Sequence, residues 1–289
     1  MKKIIITVFA MAALHANASL KITSFNLKWF GSGGELSGKN SDEYRAPWLS
    51  EFIAKYLSTT EVILFQEVVD TQKLINLMAS LNFDCHTYLG SGSRHQHLVL
   101  CHTDKYSFSP EEGDDNNIFE DIATINGSKL RPAISGVIKE KKSKKFLAHV
   151  LGVHLKAGKR EGQMREIQTQ LLTERIKSYK DKLPVILLGD FNSYPKEFSG
   201  APVGDLERMD ELYQEVGLKR VKHNFKNTFK SFNYGHLFDH FWISNQLNIK
   251  SVDVFEACNN NNSKLYRYRN LSFYNRFISD HCPITVEVQ

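Results

Sequence analysis

Six times along this chain an apolar, strand-like run meets a polar residue able to bind a metal ion or move a proton, and this recurrence constrains the fold more than any other feature. The run Leu20–Phe25 ends in Asn26, Val62–Phe65 runs into Gln66 and Glu67, and Leu147–Val153 ends in His154. Val185–Gly189 leads into Asp190, Phe191 and Asn192, Asp239 opens the run Phe241–Ile243, and Ser279, Asp280 and His281 precede Pro283–Val286. The rim of a buried sheet holds carboxylates and imidazoles rigidly while leaving them open to substrate. One such residue alone is usually a capped turn or a satisfied core polar group. Six in one chain point to a shared site.

The apolar runs alternate with stretches of helical period, which predicts a layered α/β fold. Strands are expected over Leu20–Asn26, Glu61–Gln66, His97–His102, Ala133–Ile138, Phe146–His154, Pro184–Gly189, Phe238–Ser244 and Pro283–Val288. From Gln163 to Tyr179, Met164, Ile167 and Leu171 form one helical stripe with Leu172, Ile176 and Tyr179 beside it, and Leu206, Met209, Leu212, Tyr213 and Val216 form a second. Lys139–Lys145 reads as a solvated hairpin turn, and Gly31–Gly34 as a flexible loop without the spacing of a dinucleotide fingerprint.

The first eighteen residues stand apart. Lys2 and Lys3, the apolar run Ile4–Leu14 and the small residues Ala16-Asn17-Ala18 read as a signal peptide cut after Ala18, so the chain is expected to be secreted or periplasmic. The run is too short to span a bilayer, and no later segment supplies a span. Residues 19–289 then form one domain, expected to be a monomer, and loss of Lys2 and Lys3 lowers the formal charge from +5 to +3. That charge is too mild to name a partner. Its distribution says more, because ten Lys or Arg against three acids lie between Lys219 and Ile278, interleaved with Phe225, Phe229, Tyr266, Tyr268 and Tyr274.

Four cysteines in an exported chain suggest disulfides. Cys85 and Cys101 flank Gly90–Ser93 almost symmetrically, so a hairpin would bring them opposite each other; Cys258 and Cys282 form the second disulfide or stay buried thiols. The acidic stretch Glu111–Asn117 is a candidate structural Ca²⁺ loop, although its spacing is not that of an EF-hand and most such loops are only solvated.

The polar residues suit one reaction. Mg²⁺ prefers oxygen ligands, which Glu67, Asp280 and the amide of Asn26 supply. Phosphodiester hydrolysis needs a base, an acid and positive charge against the developing phosphorane; Asp190, His154 and His281 are the proton-transfer candidates, and the metal with Arg131 supplies charge.

Ser24-Phe25-Asn26-Leu27, Phe65-Gln66-Glu67-Val68, Arg131-Pro132-Ala133, Val153-His154-Leu155, Gly189-Asp190-Phe191-Asn192, Phe238-Asp239-His240 and Ser279-Asp280-His281 resemble, in order, the signature blocks of the DNase I-like endonuclease/exonuclease/phosphatase superfamily. The resemblance implies a four-layer α/β sandwich, two mixed β-sheets packed face to face with helices outside. It implies that Glu67 is the principal metal ligand, with Asn26 and Asp280, for Mg²⁺ or a substituting Mn²⁺. It makes His281 the catalytic histidine oriented by Asp239, Asp190 and Asn192 the residues that position the nucleophile and grip phosphate, and His154 a second catalytic histidine. Asn26 and Arg131 join Asn192 as phosphate-binding residues.

Within the superfamily, His154 argues against the abasic-site branch and His240 after Asp239 against the inositol-phosphatase branch, while Phe25–Gly31 is most similar to secreted DNase I-like nucleases. Nucleic acid, DNA above all, is then the expected substrate, with Lys156, Lys159, Arg160, Arg267 and Arg269 lining its groove. Where DNase I carries a glutamate that orients the second histidine, this chain has His95-Gln96-His97, so either Gln96 substitutes or His154 is held differently. The alternatives are a sphingomyelinase-like phospholipid phosphodiesterase and an inactive binding module on the same fold.

Overall fold

Strand-forming residues in this chain come in runs buried on both faces, and such runs form the middle of sheets covered on both sides. The computed structural model describes residues 19–32, 42–88, 96–111, 117–143, 146–231, 234–260 and 266–289. The expectations for the signal segment 1–18, for Gly33 and Gly34, for Gly90–Ser93 and for residues 112–116 of the acidic loop lie outside the described residues.

In chain order the strands are β1 (Leu20–Phe30), β2 (Val62–Val68), β3 (Phe83–Tyr88), β4 (His97–Thr103), β5 (Tyr106–Ser109), β6 (Ile118–Phe119), β7 (Ala133–Glu140), β8 (Phe146–His154), β9 (Val185–Asp190), β10 (Leu218–Arg220), β11 (Phe229–Lys230), β12 (Gly235–His236), β13 (Asp239–Ser244), β14 (Ile249–Val254) and β15 (Ile284–Val288). The helices are α1 (Asp42–Tyr56), α2 (Thr71–Ala79), α3 (Gly162–Lys177), α4 (Lys196–Ser199), α5 (Asp205–Gln214) and α6 (Leu271–Phe277). Both helical stripes expected from periodicity are therefore helices, α3 and α5.

The strands form a first sheet in the order β14-β15-β1-β2-β4-β3 and a second in the order β10-β13-β9-β8-β7-β5, with β6 beside β7. Each is mixed: β1 with β2 and β8 with β9 run parallel, and the other neighbours run antiparallel. The two sheets pack closely, since a Cβ added at Gly152 on β8 would stand 2.5 Å from Leu64 Cδ1 on β2. Outside the second sheet, Leu172 and Ile176 of α3 and Met209 and Tyr213 of α5 bury Leu151, Val153, Leu187 and Trp242. Outside the first, Phe52 of α1 packs against Phe25, Phe255, Tyr268 and Tyr274. The expected arrangement, two mixed sheets face to face with helices outside, is the one the chain adopts.

Both cysteine pairs are disulfides. Cys85 and Cys101 are register partners on β3 and β4, and Cys258–Cys282 fastens the chain immediately after His281, so the alternative of two buried thiols falls.

Candidate active site

Strand register brings the polar strand ends together. His154 is the partner of Asp190 across β8 and β9, and Asp190 is the partner of Asp239 across β9 and β13, so the three form a row at one end of the second sheet. Opposite them the β1/β2 ladder breaks after Asn26↔Gln66 and resumes only at Phe30↔Val68. Within the break Lys28, Trp29 and Glu67 take left-handed backbone, with φ of 47°, 53° and 58°. Such bulges re-aim side chains, and each non-glycine residue held there costs on the order of 1 kcal/mol, which the surroundings must offset. Arg45 of α1 supplies part of that offset: Nη2 donates to Leu27 O at 2.6 Å and Ile278 O at 2.8 Å, and Nη1 to Lys28 O at 3.0 Å. The sequence reading missed Arg45, because it lies in a helix far from every motif.

Asp190 is the centre of the site. Its Oδ1 accepts from the Asn192 backbone N–H at 2.9 Å, and its Oδ2 from Asn26 Nδ2 at 2.9 Å, which ties the two sheets together. Two imidazoles face the same Oδ2 across wider gaps, His154 Nε2 at 3.6 Å and His281 Nε2 at 3.8 Å. His281 Nδ1 donates to Asp239 Oδ2 at 2.8 Å, and the backbone N–H of Asp239 donates to Thr228 Oγ1 at 3.0 Å. Ser279 Oγ donates to Asn26 O at 2.7 Å and accepts from the His281 backbone N–H, so the segment carrying His281 is registered on β1. Glu67 Oε2 accepts from the Trp29 backbone N–H at 3.2 Å, while Oε1 stands 3.8 Å from His154 Nε2.

Burial sets the proton affinities. By itself it pushes the His281 imidazole down, but the carboxylates of Asp239, Asp190 and Asp280 together overturn that and raise it to about 10. Asp190 is raised to about 7, first by desolvation and then by Asp239 and Glu67 against the opposing pull of His281. Burial, then Arg131 and His281, hold His154 well below the ordinary histidine range, so it is neutral. Desolvation, then Asp280, raise the Glu67 carboxyl.

Other candidates are placed differently. Arg131 was expected to bind phosphate; its Nε donates to His154 O at 2.9 Å, Nη2 donates to Leu155 O, and Nη1 reaches Gln96 Oε1 at 3.4 Å. Those donors clamp the backbone beside His154. Gln96 does not orient His154, whose Nδ1 finds no partner among the described residues, so of the two possibilities the second holds. Asn192 Nδ2 turns to Leu155 O at 3.3 Å. Asp280 pairs with Lys28 Nζ at 3.3 Å instead of joining the tight carboxylate and imidazole groups. Arg267 lies over Trp48 and pairs with Glu51 at 3.6 Å, and Arg269 pairs with Glu256 at 2.6 Å, whereas Lys159 lies over the rings of Phe198 and Tyr234.

Among the described residues, Glu67, His154 and Asp190, and likewise Asp190, Asp239 and His281, bring ligand atoms within 4.8 Å of one another. The residues fit a divalent cation: two buried or half-buried carboxylates, Glu67 and Asp280, act unfavourably on each other, and the oxygen-rich donor set is that of a hard ion. Beyond His281 lies a wall of rings. Phe229 is 5.0 Å from the His281 ring, Phe238 is 5.2 Å from Phe229, and His236 stacks on Phe238 at 4.9 Å. Tyr234, 57% exposed, continues it under Lys159 Nζ at 6.0 Å. A groove of about 660 Å³ opens beyond Tyr194 and His236, with Lys196, Arg220 and Lys226 in its lining.

The sequence profile of the Endonuclease/Exonuclease/phosphatase family matches residues 24–281. No curated protein sequence matches. Among solved structures, the human Nocturnin catalytic domain with bound sulfate is similar at 17% identity and a TM-score of 0.65, covering 94% of each chain. An endonuclease/exonuclease/phosphatase from Bacteroides vulgatus matches at 17% identity and TM-score 0.63, covering 94% of this chain and 99% of that one. D. rerio TDP2 complexed with single strand DNA product matches at 15% identity and TM-score 0.64, covering 94% of this chain and all 100% of the other.

Proposed function

The chain belongs to the Endonuclease/Exonuclease/phosphatase family, and from that premise we propose that it is an exported, divalent-metal-dependent phosphodiesterase that cleaves nucleic acid. The convergence of Glu67, His154, Asp190, Asp239 and His281 on one sheet rim carries the reading of a hydrolase, because a pure binder has no use for paired carboxylates and imidazoles. The ring wall running outward from His281 supports nucleic acid as substrate, since bases stack on aromatic faces at about 1–3 kcal/mol each, and Lys159 stands where backbone phosphate would pass. TDP2, whose fold this chain shares, is seen with a DNA product. The two disulfides and the signal-like first eighteen residues support export.

Glu67 and Asp280, with Asn26 Oδ1, would hold Mg²⁺ or Mn²⁺, which when bound neutralises charge on a phosphate oxygen. The rest of the reaction falls to the chain's own side chains. Asp190, with its carboxyl raised to about 7, takes the proton of the attacking water. Asn192 N–H and Asn26 Nδ2 keep that carboxylate aimed. His281, an imidazolium below about pH 10, directs its Nε2–H at the phosphoryl group from the far side of the same gap. Asp239 holds the ring in place and keeps it charged. His154, neutral and beside Glu67, donates a hydrogen bond to the leaving oxygen, which departs as an alkoxide and takes its proton from solvent.

The test is incubation of the purified chain with supercoiled plasmid, single-stranded DNA, RNA and sphingomyelin, each with Mg²⁺ or chelator, beside His281→Gln. We expect plasmid nicking that needs both the metal and His281. Lipid turnover without nicking, or nicking that survives His281→Gln, overturns the proposal.

A further inference from the structure

At the edge of the first sheet, well away from the rim described above, two imidazoles face each other. His86 on β3 and His102 on β4 place their Nε2 atoms 3.2 Å apart. They are diagonal neighbours across an antiparallel pair in which Asp84 opposes His102 and His86 opposes Leu100, so Asp84, His86 and His102 share one face. Val62 is the β2 partner of His102 and lies five residues before Glu67, which puts the pair about 17 Å along the sheet from that carboxylate at ~3.3 Å per residue. The residues belong to no motif and the phosphodiesterase reading makes no use of them.

We propose that His86 and His102 form a second metal site, one for a borderline divalent cation such as Zn²⁺. Two imidazole nitrogens bound at about 2.0–2.1 Å to one tetrahedral cation stand roughly 3.3 Å apart, the spacing seen here. His102 Nδ1 lies 2.9 Å from the backbone carbonyl of Thr103, which assigns the proton to Nδ1 and leaves the Nε2 lone pair pointing at His86. Fixing the second nitrogen on a carbonyl is how metal-bound histidines are oriented. His102 is buried and His86 half-buried, with Phe108 walling the latter at 5.4 Å between ring centroids. Burial holds both rings below the ordinary histidine range, so they are neutral and ready to bind. Asp84, with 70% of its side chain exposed, lies 3.9 Å from Lys141 Nζ and acts electrostatically on both rings; swung inward, it is a third ligand. The donor chemistry separates this site from the rim, because imidazole nitrogens select Zn²⁺ over Mg²⁺ whereas the Glu67 side is rich in oxygen. Its structural consequence is a clip. β3 is the outermost strand of its sheet, and a cation there would fasten it to β4 one residue beyond the Cys85–Cys101 bond.

The experiment uses the full chain, disulfides intact, in saturating Mg²⁺, titrated calorimetrically with Zn²⁺. We expect His86→Gln/His102→Gln to lose one Zn²⁺ equivalent that Glu67→Gln retains. Zn²⁺ in hundredfold excess over its Kd should raise the Tm of the unmutated chain by roughly 5 °C and leave the double variant unmoved. Crystals of the unmutated chain soaked in Zn²⁺ should show an anomalous peak between the two Nε2 atoms, a result independent of whether the double variant folds. Unchanged stoichiometry in a folded double variant, or crystals without that peak, overturns the proposal and leaves the pair as two rings sharing one proton.

Discussion

Asp239 shows how one carboxylate sets the chemistry of another residue. It accepts from His281 Nδ1 at 2.8 Å and does more than any other acid to raise that imidazole to about 10. In Asp239→Asn the burial remains and the nearest anion goes while Asp190 and Asp280 stay, so the His281 pKa should fall well below 10, read from its ring resonances in an NMR titration. A value still near 10 would contradict this origin of the shift. The rate profile carries the same information. Activity should rise with pH as Asp190 loses its proton, at or below about pH 7 because a bound cation favours the carboxylate, and should fall as His281 loses its own near 10. Asp239→Asn should move the alkaline limb to lower pH and lower kcat on the order of 10²-fold or more. Both shifts are upward, so each group makes stability fall as pH rises through its own window. His281, raised in the fold, stabilises below about pH 6.5 and that contribution is lost as pH rises toward 10. Asp190, also raised, makes the fold lose stability as pH rises from about 4 to about 7, because the native state keeps a proton the unfolded chain has released.

At the scale of elements, the site depends on β8 and β9 lying in one register, and Gly189 is the residue that permits it. Its φ is +147°, and an added Cβ would sit 2.0 Å from the Val153 carbonyl oxygen on the neighbouring strand. Gly189→Ala must therefore push β8 and β9 apart immediately beside His154 and Asp190. The expected cost is ~3 kcal/mol or more in denaturant unfolding, together with loss of activity; a variant unfolding within about 0.5 kcal/mol of the parent would show that the strands accommodate it. The ends of β8 and β9 at His154 and Asp190 were readable from the chain, whereas β1 and β2 run on past Asn26 and Glu67 to Phe30 and Val68. The break in the β1/β2 ladder was not readable. It is held in part by a long-range clamp of Arg45 on Leu27, Lys28 and Ile278, and no local pattern encodes a contact between residues 45 and 278.

For the molecule as a whole, the Cys258–Cys282 bond spans 24 residues and ends on the neighbour of His281. Closing a loop of that length stabilises by roughly 3 kcal/mol through the unfolded chain. Replacing both cysteines by alanine should lower the unfolding free energy by about that amount and raise the temperature factors of residues 279–281 in a crystal structure. Unchanged stability would mean that the packing of β15 against β1 already holds the segment.

Hydrophobic periodicity and residue chemistry were enough, without any structure, to imply the layered α/β architecture, the helices α3 and α5, the Cys85–Cys101 pairing and the set of polar residues at the strand ends. These follow from local rules, because a strand's burial and a residue's donor type are written in consecutive positions. Partnership is not local. That Asp190 lies between two imidazoles, that Arg131 clamps the backbone of His154 and Leu155, that Lys28 meets Asp280, and that His86 faces His102 all depend on how two sheets pack and register. The same packing sets the proton affinities, since desolvation is a property of the surroundings and not of the residue.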